Sequence, residues 1–344
     1  MGAETADGIR SIDAVALPVR IAAQHRVYVN MTETSKASVT FVEITEETAG
    51  QRLDNFLLRH LKGVPKSHIY RIVRAGEVRV NKGRADVTRK LEAGDVVRVP
   101  PVRVAEKPSN APAEAASGQV ELEVLFEDDA LIAINKPSGI AVHGGSGISF
   151  GVIELMRAQR PQAKFLELVH RLDRDTSGIL LIAKKRSALV KLHEMLRDNH
   201  QIDKRYLAMV KGVWPEPRSH VKFKLLKYET PDGERRVKKS ADGLTSHTVV
   251  NRRQSFAGAS LLECELKTGR THQIRVHLAE SGYPILGDDK YGDPVLNRQL
   301  PRAGLKRLFL HAWRLTLIHP LSGDKLELEA PLPKELQSYV DTLN

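Results

Sequence analysis

Four charged side chains crowd into five residues near the middle of the chain, in the segment VHRLDRDTSG (residues 169–178). The apolar run ILLIA (179–183) follows at once, so we expect the charged residues to lie in a turn that enters a buried strand. An aspartate flanked by arginines is most often an exposed ion pair worth under about 1 kcal/mol. Holding so much charge at a strand entrance is nevertheless costly unless a site uses it, and Asp173 is therefore a candidate catalytic carboxylate.

A second segment that could do chemistry is TGRTHQIRVH (residues 268–277). Thr271 is a candidate N-cap and Gly282 a candidate stop, which would put Arg275 in the first turn of a helix. His272 and His277 are five residues apart, and neither a helix nor a strand brings residues at that spacing to one face. Metal binding is therefore disfavoured. The sequence also lacks the motif spacings that are typical of nucleotide-binding and zinc sites, so we expect no metal and no cofactor.

The net charge of +11 is unevenly distributed, since residues 50–110 carry 14 basic and 6 acidic side chains, a balance of +8. Such a basic block predicts a polyanionic partner, with nucleic acid the first candidate. The one cysteine, Cys264, permits neither an intramolecular disulfide nor a cysteine-based zinc site. Apolar runs stay far below the length of a membrane span. We expect a cytoplasmic monomer with no membrane partner.

The first 48 residues are predicted to be a flexible tail, because no sustained periodicity runs through them. They lack the basic start and apolar core of a secretory signal, and the acidic residues Glu4 and Asp7 argue against an organelle transit peptide. Met31 is an alternative candidate for the start codon.

Residues 49–100 are predicted to form a small domain of two helices and a small sheet. Leu53, Phe56 and Leu57 fall at helical spacing, Gly76 would end a second helix, and short strands follow. This pattern resembles the αL RNA-binding domain of ribosomal proteins and tRNA synthetases, which implies contacts with RNA phosphates and an affinity that falls with salt. The basic residues expected to make these contacts are Lys66, Arg71, Arg74, Arg79 and Lys82.

The proline-rich residues 101–119 are predicted to be a linker, and residues 120–344 a second domain. Many short strands and few long helices indicate an α+β fold. The charged motifs resemble those of the RluA-type pseudouridine synthases: NKPSG followed by VH within 135–143, RLDRDTSG at 171–178, and THQIR at 271–275. The resemblance implies a mixed, mostly antiparallel sheet with a central cleft.

The same resemblance implies a role for several side chains. Asp173 would be the catalytic carboxylate, Arg275 its partner, and Tyr206 the tyrosine that contacts the reacting base. Arg171 would fill the space that a flipped uridine leaves. Two further motif residues expected to contact RNA are Lys136 and His170.

Pseudouridine formation breaks the bond between uracil N1 and the ribose, turns the base, and rejoins it through C5. The base is retained, so one carboxylate suffices where glycosidases use two. A buried carboxyl group alone would take up a proton, whereas a guanidinium within about 4–6 Å favours the charged form, and this is the role expected for Arg275. Taking a uridine out of its stack costs on the order of a few kcal/mol.

The function expected from this resemblance is conversion of specific uridines in large-subunit (23S) ribosomal RNA to pseudouridine. Two alternatives stay open. A catalytically silent RNA-binding or ribosome-assembly factor would leave its RNA unaltered, and the intact Asp173, Tyr206 and Arg275 argue against it. An RNA base glycosylase would release free uracil and would usually need a second acid or a metal, for which the sequence offers no motif.

Overall fold

The computed structural model describes residues 39–46, 48–61, 63–102, 120–144, 150–198 and 201–343. These residues form a small N-terminal domain and a larger domain, each with its own hydrophobic core. Within these ranges, no helix has both the length and the apolar character needed to cross a membrane.

The small domain combines two helices with a three-stranded antiparallel sheet. Its elements are β1 (Thr40–Glu43), α1 (Leu53–His60), α2 (Lys66–Arg74), β2 (Arg79–Val80) and β3 (Val96–Val99), with β3 between the other two strands. Leu53 and Leu57 of α1 pack with Ile69 and Ile72 of α2, and all four are at most 1% exposed. One apolar face of each helix therefore supplies the core, and the predicted arrangement of two helices and a small sheet is confirmed.

The first strand corrects the predicted start of this domain. Thr40 pairs with Val99 of β3, and Ile44 is 1% exposed in the same core. The prediction that residues 1–48 are a tail is therefore wrong for residues 40–46, because a strand there completes the sheet.

Two predicted segments lie largely outside the described residues. Residues 1–38, which include Met31, are among them, and so are residues 103–119 of the predicted linker. Val102, the last described residue before that gap, packs against the core of the small domain.

The described residues of the large domain form one sheet of eleven strands. These are β4 (Glu123–Glu127), β5 (Leu131–Lys136), β6 (Glu167–Leu168), β7 (Ser177–Ala183), β8 (Ile202–Lys211), β9 (Arg218–Glu229), β10 (Arg235–Lys239), β11 (Leu244–Phe256), β12 (Ala259–Leu266), β13 (Leu310–Ile318) and β14 (Lys325–Glu329). The helices around it are α3 (Val152–Gln159), α4 (Arg186–Arg197), α5 (Gln273–Glu280), α6 (Pro294–Asn297) and α7 (Lys334–Asp341), with a short 3-10 turn at Leu300–Ala303.

Nine strands follow the order β10-β9-β11-β12-β8-β13-β7-β5-β4, while β14 pairs with β13 and β6 with β7. Among the described strand pairs, β13 and β7 run parallel, through His311 with Ser177 and Ala312 with Gly178, and the others are antiparallel. This mixed, mostly antiparallel sheet confirms the predicted α+β fold.

The strand after the charged segment is buried on both faces. Leu180 and Ile182 of β7 belong to one hydrophobic core, and Ile179 and Leu181 belong to a second core on the opposite face. Because both faces are covered, the strand is apolar throughout rather than alternating, which is why the run ILLIA predicted it correctly. Helix α3 packs into the first core and α4 into the second.

Candidate active site

The charged segment forms a turn between β6 and β7, and Leu172 holds this turn in place. Leu172 is 7% exposed and packs in the core of the large domain, while Arg171 is exposed and the side chain of Asp173 is 27% exposed. The Thr176 N–H donates to the Asp173 carbonyl at 3.2 Å and closes the turn. Leu172 therefore anchors the chain so that its two charged neighbours reach the adjacent cleft.

That cleft has a volume of about 1340 Å³ and is lined from several parts of the chain. The turn contributes Arg171 and Asp173, β8 contributes Tyr206, and α5 contributes Arg275. The structure thus brings together the three side chains predicted to be catalytic, although they are distant in sequence.

Arg275 is a buried cation held between carboxylates. Its Nη1 lies 3.4 Å from Oδ2 of Asp173, across 102 residues of sequence. Its Nε and Nη2 each donate to Asp288 at 2.7 Å, and Nη2 lies 3.2 Å from Asp289. Burial opposes the charge, but the bonds to Asp288 outweigh it and raise the pKa of Arg275. The guanidinium is thus fixed mainly by Asp288, and its remaining nitrogen, Nη1, faces Asp173.

The helix that carries Arg275 begins one residue later than predicted. Its N-cap is His272, whose φ of 52° is left-handed, so the prediction of Thr271 as the cap is wrong. Gln273 stabilises the first turn, because its side chain accepts from the Arg270 N–H at 3.0 Å. Gly282 follows the helix with a φ of 86°, a conformation that glycine adopts readily, and the predicted stop is confirmed.

Tyr206 lies on β8, a strand inside the sheet, and is 8% exposed at the wall of the cleft. Burial, together with the charge of Asp173, raises the pKa of Tyr206. The phenol therefore keeps its proton at neutral pH and can donate a hydrogen bond into the cleft.

His170 lines the cleft but already has a structural partner. The Leu181 N–H donates to its Nε2 at 3.2 Å, and burial lowers the pKa of His170 to about 4. The ring is therefore neutral and faces β7 with Nε2. Arg171 is exposed beside it, which leaves its guanidinium available to RNA.

Lys136 does not lie where the prediction put it. The residue is 0% exposed, and its ammonium group donates to the carbonyls of Pro137, Ile140 and Arg174 at 2.8 to 2.9 Å. Burial lowers the pKa of Lys136 to about 7, while three carbonyl acceptors match the three donors of a charged amine. The expectation that Lys136 contacts RNA is contradicted, because its donors are used to hold the turn that follows Asp173.

The NKPSG segment forms two more hydrogen bonds with that turn. The Gly139 N–H donates to the Arg174 carbonyl at 2.9 Å, and the Ser138 hydroxyl donates to the Asp175 carbonyl at 2.7 Å. The first and second motifs are therefore one structural unit, in which the first fixes the backbone of the second.

The predicted RNA-binding residues of the small domain lie at its surface. Lys66, Arg71 and Arg74 project from α2, and all are exposed. Tyr70, which sequence reasoning missed, lies among them, with Lys66 Nζ at 5.4 Å and Arg74 Cζ at 6.0 Å from its ring centroid. Arg79 is also exposed, but it donates to the Gly76 carbonyl before β2 at 3.3 Å and to the Lys82 carbonyl after β2 at 3.2 Å.

Sequence reasoning also missed three residues close to Asp173. Asp288 clamps Arg275, His272 Nε2 lies 3.8 Å from Asp173 Oδ1, and Tyr291 contacts His272 at 2.8 Å. The segment GDDKYG, residues 287–292, was a usable signal, because glycines bracket an acidic pair directly after an apolar run. Across the described ranges, no group of three or more His, Cys, Asp or Glu side chains is placed to bind a metal.

Comparison with known proteins agrees with this geometry. The sequence profile of RNA pseudouridylate synthase matches residues 130–280, and that of the S4 domain, an RNA-binding module, matches residues 51–97. The chain belongs to the RluA family of RNA pseudouridine synthases, enzymes that isomerise uridine within an RNA chain.

Its curated relatives include the ribosomal large subunit pseudouridine synthase C of Pasteurella multocida (strain Pm70), which is 54% identical over 309 residues, 89% of this chain and 94% of the relative. The protein of the same name from Escherichia coli (strain K12) is 53% identical over 315 residues, 90% of this chain and 98% of the relative. Among solved structures, Human RNA Pseudouridylate Synthase Domain Containing 4 superposes with a TM-score of 0.53 at 27% identity, covering 68% of this chain and 96% of that one.

Proposed function

We propose that this enzyme converts specific uridines of large-subunit (23S) ribosomal RNA to pseudouridine, with Asp173 as the catalytic carboxylate. The observation that carries the proposal is the contact between Asp173 and Arg275, two residues from separate motifs that meet at 3.4 Å in one cleft. The names of the relatives, which are more than half identical over nearly their whole length, support this RNA as the substrate.

The reaction begins when the target uridine leaves its stack and enters the cleft, at a cost on the order of a few kcal/mol. Arg171 is exposed at the rim and occupies the space that the base vacates. The S4 domain contributes affinity rather than chemistry, because the exposed basic face of α2 suits phosphates and RNA shape.

Inside the cleft, Asp173 acts on the nucleotide while Arg275 holds the carboxylate in place. The N1–C1′ bond breaks, the uracil turns without leaving, and a C5–C1′ bond forms. The proton lost from C5 and the proton gained at N1 balance, so product and substrate are isomers. Tyr206 contacts the turning base as a neutral phenol and takes part in moving the C5 proton.

One polypeptide supplies Asp173, Tyr206 and Arg275, which supports action as a monomer. We place this activity in the cytoplasm. Cys264, the one cysteine of the chain, is buried and contributes no disulfide within the chain.

The test compares wild type, Asp173→Asn and Asp175→Asn on unmodified large-subunit RNA, with pseudouridine mapped by carbodiimide adducts and reverse transcription. Asp175 is a matched control, because it is two residues away and its carboxylate pairs with the exposed Arg174 at 3.2 Å. We expect stops with wild type and Asp175→Asn, and none with Asp173→Asn, while all three proteins bind the RNA.

Stops that persist in Asp173→Asn would show that another carboxylate does the chemistry. Binding by all three proteins without any stop would instead indicate a different RNA substrate or a protein that only binds. Free uracil in the supernatant would identify a glycosylase.

A further inference from the structure

The hairpin of β9 and β10 ends the large sheet, and β10 is tied to the loop that follows α5. The Val237 N–H donates to the hydroxyl oxygen of Tyr291 at 2.9 Å. Lys290 pairs with Glu234, and the Arg236 guanidinium donates to the Lys290 carbonyl at 3.3 Å. The hairpin and this loop therefore hold one another in place.

Apolar contacts extend the connection to the helix that carries Arg275. Val276 of α5 is 1% exposed and packs with Leu225 and Val237 of the hairpin, in a small core that Tyr291 borders. The Tyr291 ring also lies 5.2 Å from Cζ of Arg275. A shift of the hairpin would thus displace α5 and Tyr291.

The hydrogen bonds of Tyr291 have a defined direction. Among the described residues its hydroxyl meets two groups, the Val237 N–H and Nδ1 of His272 at 2.8 Å. The Val237 N–H can only donate, so Nδ1 is the one acceptor among these two groups, and we assign the hydroxyl hydrogen to it. Burial lowers the pKa of His272 and keeps the ring neutral. A neutral ring that accepts at Nδ1 carries its hydrogen on Nε2, so Tyr291 selects the Nε2–H tautomer.

The selected N–H faces the carboxylate of Asp173. His272 Nε2 lies 3.8 Å from Oδ1, and Arg275 Nη1 lies 3.4 Å from Oδ2, so each oxygen has one donor in front of it. Both distances exceed the range of about 2.7–3.2 Å for a formed hydrogen bond, and such contacts often tighten when substrate binds. The other tautomer would turn a lone pair toward the carboxylate and repel it.

The backbone of His272 adopts an uncommon conformation at this contact. Its φ of 52° is left-handed, which is uncommon for any residue other than glycine. Such a conformation persists where the surroundings hold it, and it is concentrated at functional sites. Here it places the ring between Tyr291 and Asp173 immediately before α5 begins.

We propose that His272 and Tyr291 are positioning residues for Asp173. Through them, the orientation of the Asp173 carboxylate depends on the position of the β9–β10 hairpin when RNA is bound. The inference rests on the proposed function, since it takes Asp173 as the reacting carboxylate. RNA phosphates would engage the basic arm of the hairpin and fix β10, and with it the hydroxyl that sets the tautomer. The basic side chains of this arm are Arg235, Arg236, Lys238 and Lys239.

Two amide replacements separate the two contacts of the imidazole. The amide nitrogen of glutamine reaches about as far as Nε2, and that of asparagine about as far as Nδ1. His272→Gln should keep a donor opposite Asp173 and retain most of the activity. His272→Asn should keep only the contact with Tyr291 and slow the reaction on the order of ten- to a hundredfold, as displaced reacting groups do. The measurement is the single-turnover rate constant at saturating enzyme, with RNA affinity measured in parallel.

Tyr291→Phe keeps the ring beside Arg275 and removes the hydroxyl, so we expect a similar slowing with unchanged RNA affinity. Tyr283→Phe is the matched control, because Tyr283 follows the same helix but packs on Trp214, and the wild-type rate is expected. In the His272→Gln background, Tyr291→Phe should cause little further loss, since an amide has no ring tautomer to select.

Wild-type rate constants for His272→Asn and Tyr291→Phe would overturn the inference. The inference would also be overturned if the losses of rate were additive in the variant that combines His272→Gln with Tyr291→Phe. So would it be if His272→Asn and Tyr291→Phe weakened RNA affinity and left the rate constant at saturating enzyme unchanged. Thermal melting checks that each variant folds, and if Tyr291→Phe does not, the comparison of the two His272 replacements decides. An active Asp173→Asn would overturn the proposed function, whereas an inactive Asp173→Asn beside a fully active His272→Asn overturns only the positioning role.

Discussion

At the scale of single residues, the site depends on a buried ion pair behind Asp173. Arg275 is 2% exposed and Asp288 is 1% exposed, and their two bonds of 2.7 Å form a bidentate pair. Asp288 also accepts from the backbone N–H groups of Lys290 and Tyr291. One carboxylate therefore orients the arginine and shapes the loop that holds Tyr291.

Asp288→Asn should destabilise the protein by about 3–5 kcal/mol, because it leaves a buried guanidinium without its counter-charge. Asp289→Asn is the control, since Asp289 contacts the same guanidinium at 3.2 Å but its side chain is 63% exposed, and a loss under about 1 kcal/mol is expected. Denaturant unfolding of both variants measures the difference. Equal losses would mean that burial does not decide the strength of these pairs.

Lys136 provides a second prediction at this scale. Lys136→Met fills the same space but leaves the buried carbonyl oxygens of Pro137 and Ile140 without this donor, while the Arg174 carbonyl keeps only the Gly139 N–H. We therefore expect a loss of at least about 3 kcal/mol in the free energy of unfolding. Lys191→Met, at an exposed position of α4, should cost less than about 0.5 kcal/mol. The affinity of folded Lys136→Met for RNA should equal that of wild type. If Lys136→Met is instead stable and binds RNA more weakly than wild type, the prediction that Lys136 contacts RNA would be correct after all.

At the scale of elements, the site depends on how closely two strands approach. β7 and β13 run side by side at Gly178, which has a φ of 106°, and a Cβ built there would lie 2.2 Å from the carbonyl oxygen of Ala312. The glycine that ends the catalytic motif therefore permits the parallel pairing, and the position of Asp173 depends on that pairing.

Gly178→Ala should separate the two strands and cost several kcal/mol, with loss of activity in any molecules that fold. Gly282→Ala is the matched control, because Gly282 also has a positive φ, of 86°, but nothing lies within 4 Å of its built Cβ. There only the backbone strain of about 1–2 kcal/mol applies. Thermal unfolding compares the two, and equal effects would show that the strand contact adds nothing to the strain.

At the scale of the whole molecule, neutral imidazoles are built into the core of the large domain. His277 and His311 are both 0% exposed, and burial lowers the pKa of each to about 4. The Ser246 hydroxyl lies 2.7 Å from His277, and His311 lies 2.8 Å from the Ser177 hydroxyl and 3.1 Å from the Ala330 carbonyl. These rings connect α5 to β11 and β13 to β7, and their burial disfavours the charged form.

Acid should therefore unfold the protein over a defined range. Between pH 6.5 and 4 the unfolded chain binds protons at these histidines and the folded chain does not, so the free energy of unfolding falls as the pH falls. Each ring contributes a slope of up to about 1.4 kcal/mol per pH unit. His277→Leu should reduce the slope by up to about 1.4 kcal/mol per pH unit, which corresponds to one proton. Denaturant unfolding at several pH values gives the slopes, and an unchanged slope in His277→Leu would assign the proton elsewhere.

Much of this organisation could be predicted from the sequence, because it follows from local patterns. The apolar run of β7, the helical spacing of α1 and the stop at Gly282 each depend on near neighbours. The contact of Asp173 with Arg275 was expected only through the family resemblance. β1 was missed because Val42 is its one partly buried side chain, so the segment has no alternation of apolar and polar residues that would predict a strand.

The missed site residues share one physical reason, which is that their roles depend on partners far away in sequence. Lys136 looks like a surface lysine until three carbonyls surround it. The tautomer of His272 is set by Tyr291, nineteen positions further on, and through it by a hairpin. No local pattern contains that information.

The strand order has a consequence for the synthesis of the chain. β13 lies between β8 and β7 in the interior of the sheet, yet it comes from residues 310–318, after nine of the other ten described strands of that sheet. The last strand of the S4 domain ends at residue 99, so this domain can fold early, whereas the catalytic sheet must wait for β13. A nascent chain that stops before residue 310 would have a folded S4 domain able to bind RNA. Its catalytic sheet would lack β13, the strand that joins β8 to β7.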